Sequence, residues 1–137
     1  MPLQRPALYL LLAGGAIALP AAVWLLTAFD PNAAGNPFPP CVFRFLTGYY
    51  CVGCGATRAL HALVHGDVAH AFAMNPLIML MLPITPLLIA HAQGWRPRVL
   101  GPLMNVLLQP RLWLIVLPVF WIARNLPWFP FTLLAPG

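Results

Sequence analysis

Five residues have types and spacing that could do chemistry: Cys41, Cys51, Cys54, His61 and His65, in the run CVFRFLTGYYCVGCGATRALHALVH. Cys51 and Cys54 stand in a C-x2-C spacing, which lets two thiolates grip one ion at about 2.3 Å, as in structural zinc sites. Cys41 is a third donor, and the loop between it and Cys51 is long enough to return to the same ion. His61 or His65 then completes a tetrahedral Cys3His set. Copper(I) is the softer alternative, since thiolates suit it and Met74, Met79 and Met81 lie close in sequence. Apolar packing is the plainer account of those methionines.

Two other chemistries fit the same sulfurs. A C-x-x-C at a helix start places its thiols where the N-terminal partial positive charge favours a thiolate, and Arg58 adds to that field. That suits a membrane thiol–disulfide oxidoreductase, although the chain lacks the βαβ pattern of a thioredoxin fold. In the third reading a Cys51–Cys54 or Cys41–Cys51 disulfide pins a loop, and the protein is an accessory or assembly subunit of a larger membrane complex. The question of an enzyme stays open, with the balance against catalysis. There is no G-x-G-x-x-G, Walker or G-x-S-x-G motif, and His70 and His91 stand alone.

The elements around this block are greasy. Of 137 residues 61% are hydrophobic and 7% charged, against about 25% charged in a soluble domain. The net charge of +5 comes from seven arginines against Asp30 and Asp67. Scattered between apolar runs, those arginines suit membrane topology and lipid headgroups rather than nucleic acid. The expectation is one all-α membrane domain over 1–137. About three spans, near 7–29, 76–92 and 112–126 or beyond, are joined to an interfacial or re-entrant amphipathic helix. The first run exceeds a signal-peptide core and ends in no clean cleavage site. Pro83 and Pro86 should kink the second. Trp24, Trp95, Trp113 and Trp128 fall near span ends, where aromatic belts form.

Arg5, Arg96, Arg98 and Arg111 fall on one side of this topology, and Arg44, Arg58 and Arg124 on the other. The positive-inside bias therefore puts the N-terminus in the cytoplasm and the cysteine loop outside. In the loop 30–75, DPNAAGNPFPPC reads as irregular. GATRALHALVHGDVAHAFAMN reads as a helix along the membrane surface, weakened at Gly66, with Asp67 as a turn or capping residue. On one helix Cys54, Arg58, His61 and His65 share a face; a merely wet face is the plainer account. Arg124, near the membrane, is expected to hydrogen-bond the loop's backbone carbonyls or Asp67 or Asp30.

The cysteine block resembles a family of small bacterial membrane proteins, the domain-of-unknown-function family 2752. The residues that carry the likeness are Cys41, Thr47, Gly48, Cys51, Gly53, Cys54, Gly55, Thr57, Arg58, Ala59, His65, Gly66, Asp67, Asn75 and Pro76, with RNLP at Arg124, Asn125, Leu126 and Pro127 as a C-terminal echo. Val42 and Val52 stand where the pattern has proline. The resemblance implies a multi-pass protein of the bacterial inner membrane, whose cysteine loop would face the periplasm of a Gram-negative cell, and it brings no activity. The sequence reading is a metal (zinc or copper) or redox-sensitive site on Cys41, Cys51, Cys54, His61 and His65. Gly53, Gly55, Thr57, Arg58, Asp67, Asn75, Arg124 and Asn125 support it. Its partners are the lipid bilayer and other membrane subunits.

Overall fold

The computed structural model describes residues 5–136, and these are helical with no strand among them. The helices are α1 (Arg5–Ala28), α2 (Val42–Thr47), α3 (Ala56–Val64), α4 (Val68–Met74), α5 (Pro76–Ala92), α6 (Gly101–Leu107) and α7 (Pro110–Ala123), with 3-10 turns at Arg98–Leu100 and Phe131–Leu134. The apolar run near 7–29 is α1, and the run 76–92 is α5. Pro83 and Pro86 lie inside α5 without ending it. Thr85 turns its hydroxyl back to the Met81 carbonyl at 2.8 Å, the usual back-bond of a helical threonine.

Three elements differ from the sequence reading. The helix expected over 55–75 is two helices, because Gly66 adopts φ +81° and Asp67 caps α4 by accepting from the His70 N–H at 2.9 Å. The segment between the second and third apolar runs is not plain loop but holds α6. The third run, whose end the sequence left open, stops at Arg124, the C-cap of α7, and the chain continues as turn and 3-10 helix. The short α2, inside the cysteine block, has no apolar periodicity long enough to announce it.

Among the described residues no single helix is long and apolar enough to cross a membrane. Two bent pairs are so together: α4 with α5, broken by 107°, and Arg98–Leu107 with α7, broken by 60°. Both breaks have a chemical cause. Asn75 is extended, at φ −159° and ψ 92°, and caps α5 with its side chain while Pro76 opens the helix; Gln109 and Pro110 repeat the extended-residue-then-proline step before α7.

The core sits where α3 and α4 meet. Ala59 and Ala71 are fully buried, and Ala62, Ala71 and Met79 cluster with Leu63 packed on them. α3 is therefore a packed helix and not one lying alone on a surface, with Ala59 and Ala62 as its buried residues. Elsewhere many large apolar side chains face out: no residue of α7 is buried, and Ile17, Leu114 and Ile115 are widely exposed. Apolar surface on that scale marks contact with lipid or protein.

The alanines of the α3–α4 contact set how closely the two helices approach. Ala71→Leu should overpack it, costing about 1–3 kcal/mol and lowering the unfolding temperature of the detergent-solubilised protein. Ala69→Leu, on the exposed side of α4, should leave that temperature unchanged; equal shifts would mean that the contact is loose.

Candidate functional site

The cysteine turn is built from tight local bonds. Cys54 N–H donates to the Cys51 carbonyl at 3.2 Å and Ala56 N–H to the Gly53 carbonyl at 3.0 Å, so two turns overlap across residues 51–56. Gly55 closes them at φ +81°, and a Cβ there would stand 2.5 Å from the Met74 carbonyl oxygen, so only glycine lets the turn sit on the end of α4. Cys41 caps α2, whose other end is closed by Gly48 at φ +77°. The chain thus returns, and the Cys41 and Cys51 Sγ atoms come to 3.3 Å and those of Cys51 and Cys54 to 3.1 Å.

All three sulfurs lie within 4.8 Å of one another. They are free thiols, so neither expected disulfide is present. Thiolates around one tetrahedral zinc stand about 3.8 Å apart, a spacing between the short contacts and the 4.8 Å limit of this cluster. The Cys51 N–H donates to the Cys54 sulfur at 3.1 Å, the kind of outer contact that orients a ligand. Burial pushes the Cys54 thiol up to about 12, and the neighbouring Cys51 and Cys41 thiols add to that. The backbone N–H of Arg44 holds the Cys41 thiol below its ordinary value.

The turn is gripped from below by residues distant in sequence. Arg124, 1% exposed, donates from Nη1 to the carbonyls of Cys51 and Val52, both at 3.0 Å, and from Nη2 to that of Cys54 at 2.9 Å. It bonds to the carbonyls and to neither aspartate. The fully buried Asn75 donates to the Val52 and Cys54 carbonyls at 3.0 Å each, while its oxygen accepts from Ile78 N–H. Asn125 brackets the next residue, accepting from the Tyr50 N–H at 2.8 Å and donating to the Tyr50 carbonyl at 3.0 Å. Trp121 Nε1 donates to that same carbonyl.

The histidines are not with the sulfurs. His61 Nδ1 bonds the Leu26 carbonyl of α1 at 2.7 Å and its Nε2 stands 3.9 Å from Asp30. His65 is exposed, stacks on His61 at 4.3 Å and bonds the His61 carbonyl. The Cys3His set therefore reduces to three cysteines among the described residues, because α3 starts at Ala56, after Cys54, and its histidine side is taken up by α1. Asp67 serves as the α4 cap, away from the ligand set. Gly53 is exposed, and a Cβ there would meet only the Cys51 sulfur at 4.0 Å, so the turn does not require glycine at that position. Met79 belongs to the core cluster.

Thr57 and Arg58 line an open groove of about 860 Å³ that also touches Cys41, Cys54, Arg44 and the 31–40 loop. Sequence reasoning missed Tyr50, Trp121 and Arg44. Arg44 lies 4.0 Å over the Tyr50 ring, and no spacing rule links such residues; an aromatic pair before the first C-x-x-C cysteine was the one visible signal.

Removing the guanidinium takes one charged donor from each of three carbonyls and leaves them only their bonds to Asn75 and to the Cys54 N–H. Arg124→Ala should cost at least about 3 kcal/mol and speed both proteolysis and alkylation at Cys51, whereas Arg98→Ala should do neither. Arg124→Lys should recover part of the loss, since an ammonium lacks the planar fork. Identical alkylation rates in the Arg124→Ala and Arg98→Ala variants would remove the clamp from the account.

No curated protein and no solved structure matches the chain. Residues 41–89, from the first cysteine into α5, match the family model described as protein of unknown function (DUF2752), the family whose likeness the cysteine block carries.

Proposed function

We propose that the protein is a non-catalytic, metal-holding membrane protein whose Cys41, Cys51 and Cys54 bind one zinc or copper(I) ion. The observation that carries it is the convergence of three sulfurs within 4.8 Å over a buried arginine. A buried cation needs a counter-charge. The chain has two acidic side chains, and both are engaged elsewhere: Asp30 with Asn32 and His61, Asp67 with the start of α4. The Cys51 and Cys54 sulfurs lie within electrostatic reach of Arg124, so a three-thiolate ion, net negative, is the partner this arginine lacks. Zinc with three protein ligands keeps a fourth position open, while copper(I) accepts thiolates alone.

Metal must displace the Cys54 proton, so affinity should rise with pH and binding should release protons. The protein purified in detergent under reducing conditions should carry about one zinc or copper per chain, and Cys54→Ser should lose it. Retention of the ion by a Cys51→Ser/Cys54→Ser double variant would defeat this site. Absence of metal together with a single titratable thiol would favour a redox-active or structural cysteine pair, the reading supported by Cys51 standing about equally near both other thiols.

The same proposal sets the chain in a bacterial inner membrane with α1, α5 and α7 in the hydrocarbon, the N-terminus cytoplasmic and the cysteine loop periplasmic. It is supported by the outward apolar faces and by Arg124 and Asn75 meeting the loop at one end of the helices. A membrane-impermeant maleimide should label Cys51 in intact, mildly reduced cells with a permeabilised outer membrane. Labelling only after lysis of the inner membrane would invert the orientation.

A further inference from the structure

The three sulfurs leave a tetrahedral ion one ligand short, and both histidines the sequence offered are bonded away from it. Among the described residues no fourth donor joins them, and the structure holds a place for one from outside. The groove of about 860 Å³ opens on Cys41 and Cys54, within the size range of small-molecule sites, about 300–1,000 Å³. Among the described residues its lining includes Arg44 and Arg58 and no carboxylate side chain, and the first residues of α3, Ala56 and Thr57, form part of the wall. That is a positive surface, suited to carboxylate or phosphate groups. The Arg44 guanidinium is held over the Tyr50 ring, so its planar fork is oriented before any ligand arrives.

We infer that this groove binds a small organic thiol bearing carboxylates, its sulfur taking the open position on the cysteine-bound ion and its carboxylate resting on Arg44. The inference rests on the metal reading above and adds the ligand class. In the step, the thiol S–H bond breaks, a sulfur–metal bond forms and the proton leaves to solvent. No cysteine–metal bond breaks and no electrons are transferred. Phe38 and the prolines at 39 and 40 face the same space and give the ligand's carbon chain an apolar wall.

The test uses the full chain in detergent, loaded with cobalt(II) in place of zinc and titrated with mercaptosuccinate and, separately, with 2-mercaptoethanol, following the cobalt visible bands. Mercaptosuccinate should bind about tenfold more tightly, the worth of one charge-assisted contact. Arg44→Gln should erase that advantage while leaving the affinity for 2-mercaptoethanol unchanged. Arg44 is exposed, so the variant should keep its fold, and an unchanged cobalt spectrum before titration checks this. Equal affinities of the two thiols, or an advantage that survives Arg44→Gln, would overturn the inference while the metal site stands. A protein that takes up no cobalt, zinc or copper overturns both.

Discussion

One guanidinium holds the cysteine turn in shape. Arg124 reaches three backbone carbonyls of residues 51–54 from the C-terminal end of α7, and of these the turn itself satisfies only that of Cys51, through the Cys54 N–H. A tight loop carrying two cysteines has more backbone acceptors than donors free to meet them, and in an apolar setting an unmet acceptor costs about 1–3 kcal/mol. The planar five-donor fork of arginine answers carbonyls spread across the turn, where a lysine offers three donors from a single point. Everything above the turn, including the separation of the sulfurs, depends on that grip.

The second holder is an asparagine used twice. The Asn75 amide nitrogen takes the Val52 and Cys54 carbonyls, and its oxygen starts α5. The 107° break between α4 and α5 is therefore the same event as the closing of the cysteine turn: the residue that ends one helix and caps the next is the one that bonds the loop. Gly55 belongs to this junction, since its missing Cβ admits the Met74 carbonyl. Asn125 and Trp121 extend it from α7 by fixing Tyr50, whose ring in turn carries Arg44 at the groove. Cysteine turn, groove wall and helix break are thus one connected polar network inside an otherwise apolar molecule. Such a network specifies a single arrangement when its members are satisfied.

The histidines belong to a different task. Bonded to the end of α1 and near Asp30, His61 ties the first helix to α3 through the Leu26 carbonyl, one of the acceptors a helix C-terminus leaves open. That leaves the three sulfurs together on one side, facing the groove, an arrangement that supports the exchangeable site proposed above.

The sequence by itself determined the all-helical class, the places of α1 and α5, a weak point at Gly66 beside a capping Asp67, and the identity of the three cysteines. Each of these is written in hydropathy, in a capping residue or in short spacing, which are local quantities. The bonds of Arg124 to the loop carbonyls could be anticipated because a charge beside an apolar run must find partners. Tertiary structure decided the rest. The histidines were excluded because α3 begins after Cys54 and turns that side to α1, a choice made by alanine packing against α4. The pairings of Tyr50 with Asn125 and Trp121 span more than 70 residues, and no periodicity encodes a contact at that separation. It forms only when α7 is laid against the loop, and polar groups confined in an apolar surrounding must then satisfy one another.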